Sequence, residues 1–378
     1  MKVLILSANT GTGHNSVAQA VKERFEAYGD ECVIEDCLNF VSPAVSKVIS
    51  SGHNTLYKHF QLINNIGWNL CIGNRSAINE NHPMYRLVTH GSDKLAVYLL
   101  QKKIDVVVCT HIFAGWMTGH TIKLNNIDVK TGIVETDYMP SLGCEYVEAD
   151  YHFVPTKEIA EEDESLGIEK EKIIVTGIPI KKEIFNRLTI DEAKAKLNIR
   201  SDKKHVIVMC GSMGGGPMVR ITHQLIKELG NSIYITVICG SNRRLYRDLK
   251  LAYGHKKNVR ITKFIKEISL WMDSADLFIS KPGGISITES AVKQLPLILI
   301  NTVGGCETGN YELYVNSGAA VPCSGPRNVA VICRELLADD EKREQIRQAL
   351  AVIAAENDTE LIVRTFHGDE EPKHTTDS

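Results

Sequence analysis

The sequence lacks any apolar run of the roughly 18 to 20 residues that a membrane-spanning helix needs. At the amino terminus, the apolar residues 3–6 lead directly into a polar loop, a pattern unlike that of a signal peptide. Pairs of cysteines at CxxC spacing are missing too, because the ten cysteines are scattered along the chain. This usage is typical of reduced core thiols rather than of a redox or metal site. The sequence therefore predicts a cytoplasmic protein, which can still lie on a membrane.

A strong excess of positive charge is also missing, since the net charge of the 378 residues is −3. This argues against a nucleic-acid binder that is held by neutralised phosphates. The sequence contains no DxD pair of the sort that holds a divalent ion, and His111 and His120 are too far apart to share one helical face. We therefore expect no metal site and no cofactor.

Short apolar runs alternate with longer amphipathic stretches, which is the pattern of βα units around a parallel sheet. The predicted strands are residues 2–6, 32–36, 106–109, 130–134, 152–155 and 173–175 in the first half, and 205–209, 233–239, 259–262, 277–280, 297–300 and 320–322 in the second. The chain is too long for one ordinary core. The pattern predicts an α/β protein with two Rossmann-like, doubly wound domains that face each other across a cleft, with ligands at the carboxyl ends of the strands.

A charged, helix-favouring segment separates the two strand series and marks the predicted domain boundary. The predicted parts are an N-terminal domain (1–180), a linker (181–203), a C-terminal domain (204–340), closing helices (341–366) and a disordered tail (367–378).

The first strand is followed by "GTGHNS", residues 11–16. This loop fails the dinucleotide-binding fingerprint at its third glycine and lacks the Lys-Ser/Thr pair of a Walker loop. His14 stands at the start of a helix predicted from about residue 15 to residue 28, where the helix terminus would lower its pKa and favour a neutral imidazole. His14 is thus a candidate general base; the alternative is a histidine that caps or packs the turn.

Two further glycine-rich loops follow strands in the second half. In "CGSMGGGPM", residues 210–218, four glycines allow the backbone to approach an anion such as a phosphate, and a tight turn is the less favoured alternative. In "SKPGGISITES", residues 280–290, amides and hydroxyls suit a diphosphate, and Glu289 suits the two hydroxyls of a ribose or caps the helix. Glu307 and Asn310, in "GGCETGN", suit a sugar or are solvated polar groups.

Taken together, these loops resemble the monogalactosyldiacylglycerol synthase and processive diacylglycerol glucosyltransferase family, which is related to the peptidoglycan N-acetylglucosamine transferase. The matching motifs, in order, are "GTGH" at 11–14, "TDY" at 136–138, "TGIP" at 176–179, "GSMG" at 211–214, "CGSN" at 239–242 and "KPGGISITE" at 281–289. The resemblance implies a GT-B fold and an inverting transfer of a hexose from a uridine diphosphate (UDP) sugar to a lipid, most simply diacylglycerol. A polyprenyl-linked acceptor is an alternative.

The resemblance also implies roles for individual residues. His14 would deprotonate the acceptor hydroxyl, and Asp137 would orient that hydroxyl or share the proton. The residues implied around the donor are Gly13, Gly211, Ser212, Met213, Gly214, Asn242, Phe264, Lys281, Gly283, Gly284, Ser286, Glu289, Glu307 and Asn310. The diphosphate would lie against the glycines, Lys281 and Ser286, and the uracil against Phe264. The ribose would lie at Glu289, and the sugar at Glu307 and Asn310.

The sequence departs from the family on the acceptor side. Many members follow "TDY" with a histidine and an aromatic residue, whereas this chain has "TDYMPSLGCEY", and the family's "GF" is Lys263-Phe264. Residues 41–79 contain no acidic side chain and are apolar and weakly basic, which favours docking on an anionic inner membrane leaflet. The alternative is a helical hairpin packed on the sheet.

Three other functions remain open at this point. A UDP-sugar 2-epimerase uses the same two-domain plan, and a nucleotide-sugar binding protein without activity would tolerate the loss of His14. A dehydrogenase fits less well because the dinucleotide fingerprint fails.

Overall fold

The computed structural model describes residues 1–9, 12–49, 78–300, 305 and 307–369. Its backbone contacts divide it into two compact units. The first unit comprises Met1–Lys181, Gly304–Cys306 and Glu356–Ser378, and the second comprises Lys182–Val303 and Glu307–Ala355.

The first unit is built on a six-stranded parallel sheet with the strand order β2-β1-β3-β4-β5-β6. Its strands are β1 (Lys2–Ser7), β2 (Glu31–Asp36), β3 (Val106–Cys109), β4 (Lys130–Val134), β5 (Tyr151–Val154) and β6 (Ile173–Val175). Its helices are α1 (Thr12–Ala27), α2 (Cys37–Val41), α3 (Pro83–Thr89), α4 (Ser92–Lys102), α5 (Ile112–Asn125) and α6 (Lys157–Ser165). Residues 43–49 are helical as well.

The second unit repeats this plan with the strand order β12-β11-β10-β7-β8-β9, again all parallel. Its strands are β7 (Lys204–Met209), β8 (Ile233–Ile238), β9 (Val259–Thr262), β10 (Leu277–Ser280), β11 (Leu297–Ile300) and β12 (Ala320–Cys323). Its helices are α7 (Ile190–Lys196), α8 (Met218–Leu229), α9 (Arg243–Tyr253), α10 (Ile268–Asp273), α11 (Gly284–Lys293), α12 (Glu307–Asn316), α13 (Val329–Ala338) and α14 (Asp340–Ala354).

All twelve predicted strands are present, and their ends differ from the prediction by at most one residue. The agreement has a physical reason: parallel strands covered on both faces are nearly continuous runs of Val, Ile and Leu, and β1, β3, β10 and β11 are buried along most or all of their length. The predicted α/β class with two doubly wound sheets is confirmed. The first helix begins at Thr12 rather than near residue 15, which places His14 in its first turn.

The last helix, α15 (Thr359–His367), returns to the first unit. Phe366 is buried there, with ring centroids 6.1 Å from Phe25 and 5.8 Å from Phe153. The imidazole Nε2 of His367 lies 2.9 Å from a carboxylate oxygen of Asp30. The first unit is therefore assembled from both ends of the chain.

Several predicted features lie wholly or mostly outside the described residues. They are the glycine at position 11, the loop at 301–304 and 306, most of the weakly basic segment 41–79, and all but the first three residues of the tail 367–378.

Candidate active site

In the first unit, the carboxyl ends of β1, β3 and β4 bring His14 next to two threonines. The imidazole Nδ1 of His14 lies 2.9 Å from the backbone carbonyl oxygen of Thr110, which follows β3. The same nitrogen lies 3.1 Å from Oγ1 of Thr136, which follows β4. Because a carbonyl oxygen only accepts, Nδ1 carries the proton in the neutral ring. The other nitrogen, Nε2, is then the atom with a lone pair to accept a proton.

Burial lowers the pKa of His14 to about 4, and the hydrogen bond to Thr110 opposes this shift. From the sequence, the helix terminus is expected to lower the pKa of His14; in the structure the main cause is burial. The ring is therefore neutral at physiological pH and keeps Nε2 unprotonated. This is the state that a general base requires before it reacts.

A second histidine, His111, packs against His14. The ring centroids are 4.5 Å apart and the planes meet at 74°. His111 is also the N-cap of α5, because its Nδ1 accepts a hydrogen bond from the backbone N–H of Phe113 at 3.0 Å. The sequence motifs give no indication of this contact and raise His111 only as a possible metal ligand. Its position two residues after the buried strand β3 was the available signal.

Asn15, the residue after His14, is part of a polar network at the ends of β1 and β2. Its side-chain oxygen accepts from the hydroxyl of Ser7 at 2.7 Å, and its amide donates to the Asn9 side chain at 2.9 Å. Asn9 in turn donates to Asp36 at 3.0 Å. The network connects the start of α1 to both strand ends and so helps to fix the backbone that carries His14.

Asp137 follows Thr136 in the segment after β4 and is half-buried. The segment thus places a hydroxyl against the His14 ring and a carboxylate at the next position. Gly13, at the exposed start of α1, would carry a Cβ that meets no atom within 4 Å. The fold of the described residues therefore does not itself require a glycine at position 13.

In the second unit, the loops after β7 and β10 and the start of α12 converge on Lys281. Its Nζ lies 2.5 Å from Oε1 of Glu307, and both side chains are largely buried. A Cβ on Gly211 would lie 2.7 Å from Cε of Lys281, and Gly211 has a φ of +69°. A Cβ on Gly283 would lie 3.7 Å from both Lys281 and Glu307. The structure thus brings together a cation, a carboxylate and two glycines that the sequence predicted for the donor.

The amino terminus of α11 adds backbone donors next to Lys281. Gly283 is the N-cap and makes no side-chain capping bond. The Thr288 hydroxyl, one turn further on, donates to the Gly284 carbonyl at 2.7 Å. The first N–H groups of a helix have no partner inside the helix, and a terminus with no capping side chain can bind an anion. Ser286, in this first turn, is half-buried.

The predicted loop 211–214 is held against the loop after β8. The Ser241 N–H donates to the Ser212 carbonyl at 2.8 Å, and the Asn242 side chain donates to the Gly214 carbonyl at 3.0 Å. A Cβ on Gly214 would lie 2.2 Å from the Cys239 carbonyl oxygen, so this glycine is required by the close approach of the two loops. Asn242 also caps α9, since its Oδ1 accepts from the Leu245 N–H at 2.9 Å. Its contacts therefore position the loop.

The remaining predicted donor residues have different surroundings. Phe264, after β9, is 63% exposed, whereas Glu289 and Met213 are half-buried. Asn310 is buried, and its amide donates to the Pro282 carbonyl at 2.9 Å. In this structure Asn310 therefore supports the loop between Lys281 and Gly283, and contact between Asn310 and a sugar stays a prediction.

Within the described ranges, no three His, Cys, Asp or Glu side chains lie together in a way that could hold a metal ion. No helix among these residues is long and apolar enough to cross a membrane.

Comparison with known proteins places the chain among glycosyltransferases. Residues 14–180 match the family model of monogalactosyldiacylglycerol (MGDG) synthase. Residues 205–307 match the model of the glycosyltransferase family 28 C-terminal domain. The chain is 27% identical over 354 residues to the processive diacylglycerol beta-glucosyltransferase of Bacillus cereus strain G9842, covering 93% of this chain and 89% of the relative. It is 26% identical to the protein of that name from Staphylococcus saprophyticus, covering 84% and 80%.

Solved structures support the same fold. MurG of Acinetobacter baumannii matches with a TM-score of 0.61 at 15% identity, over 97% of this chain and 99% of that one. The UDP complex of S. aureus MnaA matches with a TM-score of 0.63 at 17% identity, over 98% and 99%.

The fold and the two family models define the class of the protein, a GT-B glycosyltransferase that transfers hexoses. More narrowly, residues 14–180 match the MGDG synthase family, and the chain is similar over most of its length to processive diacylglycerol beta-glucosyltransferases. The resemblance seen in the sequence motifs and the prediction of an enzyme are thereby confirmed.

Proposed function

We propose that the protein transfers a hexose from a UDP-sugar to the hydroxyl of a lipid, most simply diacylglycerol, with inversion at the anomeric carbon. The observation that carries the proposal is the hydrogen bond from His14 Nδ1 to the Thr110 carbonyl, because it leaves Nε2 as a proton acceptor. The relatives named above are diacylglycerol glucosyltransferases at 26–27% identity, which supports a lipid acceptor.

In the proposed reaction, the acceptor hydroxyl loses its proton to Nε2 of His14 as its oxygen attacks the anomeric carbon. The bond between that carbon and the diphosphate oxygen breaks, and UDP leaves with the electron pair. Attack from the face opposite the leaving group inverts the anomeric centre. Asp137 would orient the acceptor hydroxyl or share its proton. A positioned base of this kind contributes about 10²–10⁴-fold to the rate.

The donor would be held by the second unit. The amides at the start of α11, the loop from Gly211 and the ammonium of Lys281 would bind the diphosphate. Phe264 would lie against the uracil and Glu289 would accept the ribose hydroxyls. Lys281 now pairs with Glu307 at 2.5 Å. We infer that the diphosphate attracts Lys281 and so makes Glu307 available to the hydroxyls of the sugar.

We also propose that this donor site works without a bound metal ion. A helix terminus and a lysine already supply the positive potential that a leaving diphosphate needs. Activity that is unchanged after exhaustive treatment with a chelator would support this proposal. Activity that is lost with the chelator and restored by Mg²⁺ or Mn²⁺ would contradict it.

The fold by itself does not separate a transferase from an epimerase. A UDP-GlcNAc 2-epimerase from Neisseria meningitidis matches with a TM-score of 0.61, the same value as MurG. The transferase is favoured because the family models and the curated relatives are of transferases.

A lipid acceptor requires contact with a membrane surface, and we propose peripheral binding to the inner face of the cell membrane through residues 41–79. Lys47, Lys58 and Arg75 supply the positive charge of this segment. Sedimentation with anionic liposomes, and its loss in a Lys47→Glu/Lys58→Glu variant, would support the proposal. Equal sedimentation of the variant would contradict it.

Separation of labelled products tests the proposed reaction. The protein is incubated with UDP-[¹⁴C]glucose or UDP-[¹⁴C]galactose and diacylglycerol micelles, with a His14→Asn variant as control. Label in the lipid fraction, with a β-linkage in its NMR spectrum, supports an inverting transfer from the α-linked donor. An α-linked product would refute inversion. Isomerised free sugar, or donor that is bound and never turned over, would refute the transferase.

A further inference from the structure

Glu135 lies directly before the Thr136 and Asp137 pair, and its side chain ties the segment that carries them to Ser141. Its backbone N–H donates to the Phe153 carbonyl at 2.9 Å and so continues the ladder between β4 and β5. Its Oε2 lies 2.6 Å from the Ser141 hydroxyl, and its Oε1 accepts from the Ser141 N–H at 3.3 Å. One side chain thus closes residues 136–140 into a loop at the end of the strand.

The surroundings of this carboxyl are buried and acidic. Glu135 is 4% exposed, and Asp163, which reaches it from α6, is fully buried. The pKa of Glu135 is raised to about 8, first by burial and then by the charge of Asp163, with a smaller contribution from Asp137; the hydrogen bonds from Ser141 oppose this shift. The turn after the loop contributes the Cys144 thiol, which lies 3.7 Å from an Asp163 oxygen. The charged groups that act on Glu135 are thus two other carboxylates.

We propose that Glu135 is a positioning residue of the transfer reaction, whose neutral carboxyl holds the Thr136–Asp137 pair in place beside His14 and whose ionisation loosens that pair. In the neutral form, Oε1 accepts from the Ser141 N–H, and the protonated Oε2 is hydrogen-bonded to the Ser141 hydroxyl. Ionisation adds a charge next to Asp163 and Asp137 in a site with little water, which favours a shift of the loop. The inference rests on the proposed roles of His14 and Asp137, but not on the identity of the sugar or lipid.

The chain contains a reporter for the position of this loop. The indole Nε1–H of Trp116 donates to the Gly143 carbonyl at 3.0 Å, two residues after Ser141. A Cβ on Gly143 would lie 2.6 Å from the indole ring, so the two are tightly packed. Movement of residues 136–143 therefore changes the surroundings of the buried Trp116. In a background with Trp68→Phe and Trp271→Phe, the emission of Trp116 alone reports that movement without any substrate.

The first part of the test compares the wild type with Glu135→Gln, which keeps an acceptor for the Ser141 N–H and a donor for its hydroxyl but has no proton to lose. For the wild type we expect kcat/KM to fall, and Trp116 emission to shift, with a midpoint near pH 8. For Glu135→Gln we expect near wild-type activity at neutral pH and neither change up to roughly pH 9. Glu148→Gln, at an exposed carboxylate paired with Lys123, is the control and should follow the wild type.

Asp163→Asn is the second variant. Because it removes the charge that raises the pKa of Glu135, it should move the midpoint of the Trp116 titration to lower pH. This prediction can be measured even if Glu135→Gln does not fold. A Trp116 titration that is the same in wild type, Glu135→Gln and Asp163→Asn would overturn the inference. So would a midpoint that does not move in Asp163→Asn. A protein that transfers no hexose, yet shows the expected emission change, would contradict the proposed function instead.

Discussion

Replacing His14 by Asn removes the proposed proton acceptor, Nε2, but keeps a hydrogen-bond donor in place of Nδ1. The Asn amide can still donate to the Thr110 carbonyl, as Nδ1 does at 2.9 Å, but it offers no nitrogen that accepts a proton. His14→Ala removes both. If Nε2 is the base, both variants should lose about 10²–10⁴-fold in kcat at saturating donor. If His14 only supports the fold, His14→Asn should retain most of the activity that His14→Ala loses.

The pKa of His14 adds a second, quantitative expectation. With a pKa of about 4, only about one ring in a thousand carries the second proton at pH 7. The acid limb of kcat/KM in the wild type should therefore have its midpoint near pH 4 and not near the ordinary histidine value of 6.5. The limb should disappear from the residual activity of His14→Asn.

The assay is initial-rate transfer of labelled hexose to diacylglycerol micelles, measured across pH, together with calorimetric binding of UDP. Binding of UDP should be unchanged in both variants, because His14 belongs to the first unit and the residues proposed for the diphosphate, ribose and uracil belong to the second. Retention of more than about a tenth of the rate in His14→Asn would refute general-base catalysis by this residue. An acid limb near pH 6.5 would refute the burial argument.

Three further predictions concern the donor site, the first loop and acid stability. Lys281→Ala should weaken UDP binding about 10- to 100-fold, since a charge-assisted hydrogen bond is worth about 1.5–3 kcal/mol. The control is Lys227→Ala, at an exposed lysine. If the Kd of Lys281→Ala is unchanged, as is expected for this control, Lys281 does not bind the diphosphate. Gly13→Ala should raise the free energy of unfolding by about 0.4–1 kcal/mol, because the new Cβ meets no neighbouring atom. The variant should also transfer hexose more slowly if a substrate lies against Gly13. A melting curve measures the first effect and a rate measurement the second, and full activity would show that Gly13 is not part of the site. The half-buried His14 and the buried His152 and His205 each have a pKa lowered from 6.5 to about 4, so the unfolded chain binds protons at these histidines first. Each should therefore cost about 3 kcal/mol of stability as pH falls from 6.5 through 4. Urea unfolding at several pH values measures this loss, and stability that stays level over that range would contradict it.

The strands could be predicted from sequence because buried parallel strands leave a local signal. Each is a short, continuous apolar run that ends at a glycine-rich or polar loop, as "VLIL" and "LFIS" do. The loops that carry His14 and Lys281 could be located for the same reason, since they follow such runs directly.

Contacts between distant parts of the chain left no comparable signal. Lys281 and Glu307 are 26 residues apart, and nothing in either motif indicates that they form an ion pair. In the sequence, Glu135 is only a polar residue after a strand. Its burial depends on residues distant in sequence or beyond the next loop, among them Asp163 and Ser141. Asn242 was predicted to contact the donor, yet its contacts in the structure hold Gly214 and cap α9. The side-chain amide of an asparagine can position a loop or bind a ligand, and the sequence does not distinguish the two.

The return of α15 to the first unit has a consequence for biosynthesis. Residues 1–181 emerge from the ribosome long before residues 359–367, with the second unit made in between. Until that last segment arrives, the apolar surface formed by Phe25 and Phe153 has no Phe366 to cover it. The amino-terminal half therefore cannot complete its fold before the second unit has been made. A fragment ending at Lys181 should aggregate or bind chaperones, and a peptide of residues 356–369 supplied in trans should rescue it.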